Sequence, residues 1–204
     1  MLNPRKIEGF TLAELMVTIG VFTIFVLFAS WILVDSLRSS DVVFEQLVTQ
    51  NEGRNILKVI INDVRKAENS SLGSYAIETA SENELIFYAN VDSDTLVERV
   101  RLWLDGTTLK KGTIKPVGTP LEYLTENEDV LEIAHNVLNL SQSNPVFLYY
   151  DENFSGTEDP LSQPVSESEV RVIRVYLELE RDPTSTPAPL HIESSVQLRN
   201  LKEN

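Results

Sequence analysis

The 204-residue chain contains no cysteine. Disulfides, thiolate nucleophiles and Cys-ligated zinc or iron–sulfur sites are therefore excluded, and the fold must stand on packing alone. Histidine is nearly as scarce: His135 and His191 are the two present, too few for a His-rich metal site within one chain. Basic residues are also short, 17 against 31 acidic ones, leaving a formal net charge of −14. A nucleic-acid binder draws most of its affinity from phosphate neutralisation, so no nucleic-acid partner is expected for the isolated chain. There is no G-x-S-x-G elbow and no glycine-rich phosphate cradle, and an enzyme is not expected. No proline lies between Pro4 and Pro116.

What the sequence does contain is one long apolar run. The opening MLNPRKIEG is short and polar and carries Arg5 and Lys6. From Leu15 to Val34 there is no charged side chain, and about 20 such residues, as a helix, match the hydrocarbon thickness of a bilayer. A core helix of a soluble protein shows a polar stripe; this segment is apolar all round. A secretory signal has a shorter apolar core followed by a small-residue cleavage site, and the run continues past Ala29-Ser30 to Asp35. Thr18, Thr23 and Ser30 are tolerable because a hydroxyl can bond back to the preceding turn. Basic residues before the span and Asp35 after it predict a cytoplasmic N-terminus and an extracytoplasmic remainder.

Glu14 is the anomaly. It stands at the head of the apolar run, between Leu12-Ala13 and Leu15-Met16. An acid there costs about 2.5–3.5 kcal/mol if drawn to the bilayer centre, less near the edge, and calls for a partner. From the residues alone, solvation at the headgroup boundary serves as well.

Gly9-Phe10-Thr11-Leu12-Ala13-Glu14-Leu15, behind a basic leader and before a membrane-length helix, resembles the class III signal of type IV prepilins and type II secretion pseudopilins. The resemblance implies that a membrane prepilin peptidase cuts between Gly9 and Phe10 and methylates the new N-terminal Phe10. It implies that Glu14 is the assembly glutamate, docking against neighbouring pilin or pseudopilin subunits. It further implies residues 1–9 as a removed leader, 10–34 as transmembrane and filament-core helix, and 35–204 as an extracytoplasmic pilin-like domain. A proline within the membrane helix, common in that family, is missing, and only Gly20 can weaken the helix there.

Beyond Asp35 the helical pattern becomes one-sided. Leu37, Phe44, Leu47 and Val48, then Leu57, Ile60, Ile61 and Val64, recur at helical spacing, predicting an amphipathic helix to about residue 69, with Gly73 just beyond. Gly53 lowers helix stability by about 1 kcal/mol relative to alanine and marks a candidate bend. The remainder reads as antiparallel strands with one wet face: Val100, Leu102 and Leu104; Ile173, Val175, Leu177 and Leu179; Leu190, Ile192, Val196 and Leu198. Asp105-Gly106 is a hairpin turn signal, and further strands are expected at 85–89, 130–138 and 146–149. The expected class is α+β, a long N-terminal helix packed on a C-terminal antiparallel sheet. Within the pilin-like group, ELIFYANVDSDTLVERVRLWLDGTTLKKG, VFLYYDENFSG and the terminal VQLRNLK resemble J-type pseudopilins and W-type minor pilins. A K-type tip subunit usually lacks the glutamate that Glu14 supplies.

Asp151, Asn153, Glu158 and Asp159, with Glu152 among them and Gly156 allowing a tight turn, are candidate Ca²⁺ ligands, although their spacing is not that of an EF-hand. Asp92 and Asp94 form a second, smaller acidic cluster. No other cofactor is expected. Two functions remain open from the residues: a filament subunit, or a permanent single-pass membrane protein whose outer β domain binds a ligand or ion.

Overall fold

The computed structural model describes residues 9, 11–92, 94–180 and 189–198, and for residues 38–46 the backbone alone. Helix α1 runs from Leu12 to Arg65. Eight strands follow: β1 (Ile77–Ala80), β2 (Glu84–Ala89), β3 (Glu98–Asp105), β4 (Thr108–Ile114), β5 (Asp129–Ala134), β6 (Phe147–Tyr150), β7 (Val172–Leu179) and β8 (Leu190–Gln197). The chain divides into two compact units, Met1–Glu45 and Gln46–Asn204.

In the first unit the described helix is exposed on every side, Leu15, Phe22, Phe25 and Trp31 alike. The expected back-bonding of the hydroxyls is present: Thr18 donates to the Glu14 carbonyl at 2.7 Å, Thr23 to Ile19 at 2.8 Å and Ser30 to Val26 at 2.8 Å. Each hydroxyl thus enters an apolar helix without an unsatisfied donor.

In the second unit the end of α1 buries the predicted stripe. Leu57, Ile60, Ile61 and Val64 are all buried, at the spacing that puts them on one helix face. Leu47 and Val48, read as part of the same pattern, are exposed. The helix ends at Arg65, four residues short of the expected end. Its last turn tightens, with the Lys66 amide on the Asp63 carbonyl and the Ala67 amide on that of Val64. The Glu68 amide then bonds the Tyr88 carbonyl, and Ala67 bridges Ala89. A vacant sheet position outcompetes another helical turn.

The strands form two antiparallel sheets rather than the one expected, a five-stranded sheet in the order β1-β2-β3-β4-β5 and a three-stranded one in the order β6-β7-β8. They are linked where the amides of both Val146 and Phe147 converge on the Glu82 carbonyl. Two donors on one acceptor cannot continue a ladder, so the sheet breaks there. The β3–β4 hairpin falls at the predicted place, but Asp105 pairs with Thr108 in the strands and the two-residue loop is Gly106-Thr107, with Gly106 at φ +60° as its first residue. Strands were found at the three further predicted places, while β1 has no counterpart in the sequence reading. Its four residues, IETA, are too few to show a period.

The inner faces of both sheets and the α1 stripe make one core, including Leu85, Phe87, Val100, Leu102, Phe147, Ile173, Val175 and Leu177. Tyr149 lies within it and donates to the Ser81 carbonyl at 2.8 Å, so its phenol is satisfied although almost fully buried. Gly53 has a packing reason. A Cβ there would overlap the Cδ1 atoms of Leu179 and Ile192, so the glycine admits strand side chains against the helix. On the outer face Arg99 clamps Glu78 through Nε at 2.7 Å and Nη2 at 2.6 Å, and Tyr88 donates to the same carboxylate at 2.6 Å.

Two predictions follow from this packing. Gly53→Val should lower the thermal midpoint of the β-rich unit, costing about 1–3 kcal/mol by overpacking, whereas Gly53→Ala recovers about 1 kcal/mol of helix propensity and is milder; near-ultraviolet circular dichroism reads both. The Arg99 hydrogen bonds hold the Glu78 carboxyl below its ordinary 4.5, so this contribution is complete above that pH and is lost as pH falls through the depressed value. Burial and the Glu78 carboxylate push the Tyr88 phenol up to about 12, so its contribution is complete below about 10 and is lost as pH rises towards 12. Glu78→Gln should flatten the acid limb of a stability–pH profile without shifting the neutral plateau's shape.

Candidate processing and assembly site

Helix α1 starts where it does because Thr11 caps it. The Glu14 amide donates to Thr11 Oγ1 at 3.3 Å. In return the Thr11 amide and hydroxyl donate to Glu14 Oε2 at 3.0 and 2.9 Å. This is a reciprocal capping box, Thr at the cap and Glu three residues on. It satisfies two of the orphan donors at a helix start and places a carboxylate at the positive end of the helix dipole.

Glu14 is therefore not stranded. Its carboxylate is held in the first turn, at the edge of an apolar stretch that extends over Leu12–Leu37 with a mean hydropathy of 2.5. Twenty-six residues of helix rise about 39 Å, more than a bilayer's hydrocarbon. Gly9 is exposed; Phe10 lies outside the described residues. Thr11-x-x-Glu14 is a sequence-level signature of a helix start, and the role of Thr11 was the legible feature left unread.

The other candidates lie in the second unit. Two acids of the 151–159 loop, Asp151 and Glu158, are engaged locally. Asp151 accepts the Asn153 amide at 2.9 Å and its side-chain amide at 3.0 Å. Glu158 accepts the amides of Ser155, Gly156 and Thr157 and the Ser155 hydroxyl, and these donors hold its carboxyl down to about 2. Gly156 takes φ +120° to make that turn. Among the described residues, the group of acids brought within ligand distance is a different one: Asp92, Asp94 and Glu98, with oxygens within 4.8 Å of one another. Glu98 was not singled out from the sequence, although it lies two residues before Val100 on the inward parity of β3.

Among the described residues, the histidines lie beside acids and a tyrosine hydroxyl. His135 lies 3.8 Å from Glu132 on the surface. His191 Nδ1 lies 3.2 Å from Glu178 and 3.0 Å from the Tyr176 hydroxyl. Glu178 is buried although its position in the alternation reads as wet; Asn144 and Tyr176 donate to its Oε1 at 2.8 and 2.7 Å, and the Asn139 side chain accepts its amide at 2.9 Å. Loop residues 139–144 cover this face, which strand periodicity could not show.

Residues 4–30 match the family model described as the prokaryotic N-terminal methylation motif. The match takes in the basic leader, Gly9, Phe10 and Glu14. The chain thus carries a class III prepilin-type signal of the kind found on structural type IV pilin-like and pseudopilin precursors, and signal and apolar helix together point to membrane anchoring. No curated protein matches the chain. Thr11→Val should remove the cap and, at about 1 kcal/mol for a lost N-cap, make the amides of residues 12–15 exchange several-fold faster in detergent micelles while the centre of the span keeps its protection; unchanged exchange would deny the capping box a structural role.

Proposed function

We propose that the chain is a minor pilin or pseudopilin: a precursor held in the membrane by the Leu12–Leu37 span, cut between Gly9 and Phe10 by a prepilin peptidase, N-methylated on Phe10, and assembled through its helix into a filament with other subunits of the same kind. The observation that carries this reading is the coincidence of the methylation motif with a carboxylate on the first turn of a helix that is then uncharged from Leu15 to Val34. Glycine at the cut lets a peptidase approach the backbone closely. In the precursor, neutral and backbone donors satisfy Glu14. Cleavage places a cationic amine four residues from it in sequence, and a hydrogen bond between charged partners is roughly twice as strong as a neutral one.

Within one subunit that amine and Glu14 sit on the same turn. Between subunits, the amine of one helix neutralises the Glu14 of the next, so that neither charge enters hydrocarbon unpaired. The pairing would set the axial register of the filament, as buried polar groups set register in coiled coils. The β-rich outer domain, with two sheets and eight strands, supports placement among the larger minor subunits of the J or W type.

The mature N-terminus tests the reading. On co-expression with a prepilin peptidase, mass spectrometry should find a chain beginning at methylated Phe10. An intact Met1 start under those conditions favours a permanent single-pass protein with a ligand-binding outer domain. Glu14→Ala should leave membrane insertion intact and sharply reduce recovery in sheared filaments; undiminished recovery would remove the docking role of this residue.

A further inference from the structure

The β2–β3 connection closes around a buried acid. Glu98, the first residue of β3, is 1% exposed. Its Oε2 accepts the Val91 amide at 2.9 Å, and its Oε1 is buried with no hydrogen-bond partner. A carboxylate oxygen removed from water without a partner is costly, and the site should hold something that satisfies it.

Its surroundings identify the chemistry. Oxygens of Asp92, Asp94 and Glu98 lie within 4.8 Å of one another, a separation that ligands at about 2.3–2.6 Å from a single ion can span. Asp92 Oδ1 accepts the Asp94 amide at 3.1 Å, and Asp94 Oδ1 accepts the Leu96 amide at 2.6 Å. Counted from Asn90, the three acids fall at positions three, five and nine of a calcium loop, with the Leu96 carbonyl at position seven. Arg101 stands where the closing bidentate glutamate of an EF-hand would be, so the set lacks that ligand.

An internal cation already lies against the cluster. Lys115 Nζ is 2.9 Å from Asp92 Oδ2 and also bonds Asp94 Oδ2. One ammonium against three carboxylates leaves excess negative charge, and Lys115 is half-exposed and free to swing away. It makes no contact with Glu98 Oε1. Lys66, the other base nearby, donates to the Asn90 carbonyl at 3.3 Å rather than to an acid.

We propose that Asp92, Asp94 and Glu98 form a Ca²⁺ site that pins the β2–β3 connection, with the Lys115 ammonium as the competing occupant that holds the loop when the ion is absent. Ca²⁺ tolerates irregular oxygen shells, whereas Mg²⁺ demands a near-ideal octahedron and dehydrates reluctantly. With three side-chain carboxylates and no closing bidentate acid, the affinity belongs in the weak range of extracellular modules, about 10⁻⁴–10⁻³ M. This site is independent of the processing signal and of the filament reading.

The test is a Ca²⁺ titration of the full-length, chelator-treated protein in detergent micelles, read by thermal unfolding and isothermal calorimetry. The wild-type midpoint should rise saturably, half-maximally at about 0.1–1 mM, with Mg²⁺ much less effective. Glu98→Gln and Asp94→Asn should each weaken binding by about tenfold or more, and Lys115→Gln should tighten it by removing the competitor. The Asp151→Asn/Asp159→Asn double variant should bind as wild type. Asp94 is exposed, so its variant decides the matter if Glu98→Gln does not fold. The proposal is overturned if neither wild type nor Lys115→Gln shows a saturable response up to about 10 mM, an order beyond that range. It is equally overturned if the Glu98 and Asp94 variants respond as wild type does, which would mean diffuse attraction to an acidic surface.

Discussion

The molecule turns on one electrostatic constraint: a carboxylate at the head of a helix that is otherwise uncharged for the width of a membrane. Glu14 cannot be left bare in hydrocarbon, and the chain offers it a local solution in the Thr11 capping box. That solution is adequate for a monomer at the membrane edge. It is also replaceable, because hydroxyl and backbone donors are weaker partners than a free amine. On the proposed reading, an acid poised between a modest intramolecular partner and a stronger one that cleavage would create gives a physical reason for processing and assembly to be coupled.

The outer domain meets a different constraint, the lack of any disulfide. Its stability comes from one hydrophobic core formed by the last turns of α1 and the inner faces of two sheets, and from polar groups that are nearly all satisfied where they enter it. Tyr149 reaches across to the Ser81 carbonyl. Asn139 serves the β7 backbone by accepting the Glu178 amide and donating to the Tyr176 carbonyl at 3.0 Å. The Glu78–Arg99–Tyr88 cluster ties three strands on the outer face through a bidentate, charge-assisted contact.

Two acids depart from the rule that charged residues face water, and they do so differently. Glu178 is covered by the loop through Asn144 and receives two donors on Oε1, while its Oε2 is buried without a partner. Glu98 receives one donor, on Oε2, has its Oε1 buried without a partner, and lies within ligand distance of two further acids. The difference lies in the company: hydroxyl, amide and imidazole groups surround Glu178, whereas Glu98 sits beside two more carboxylates.

Patterns with a short period were legible in the sequence. The uncharged run, the Leu57–Val64 stripe, the alternation along β3, β7 and β8, and the Asp105-Gly106 turn each depend on neighbours within a few residues, so composition and spacing determined them. The Thr11–Glu14 cap was equally local and simply went unread. What the tertiary structure alone decided involves partners far apart in the chain: the division into two sheets at Glu82, the end of α1 at Arg65 where Tyr88 supplies an acceptor, the glycine at 53 beneath Leu179 and Ile192, and the burial of Glu178. A strand's alternation says which side chains point the same way, but only the elements packed over each face determine which of those sides is dry.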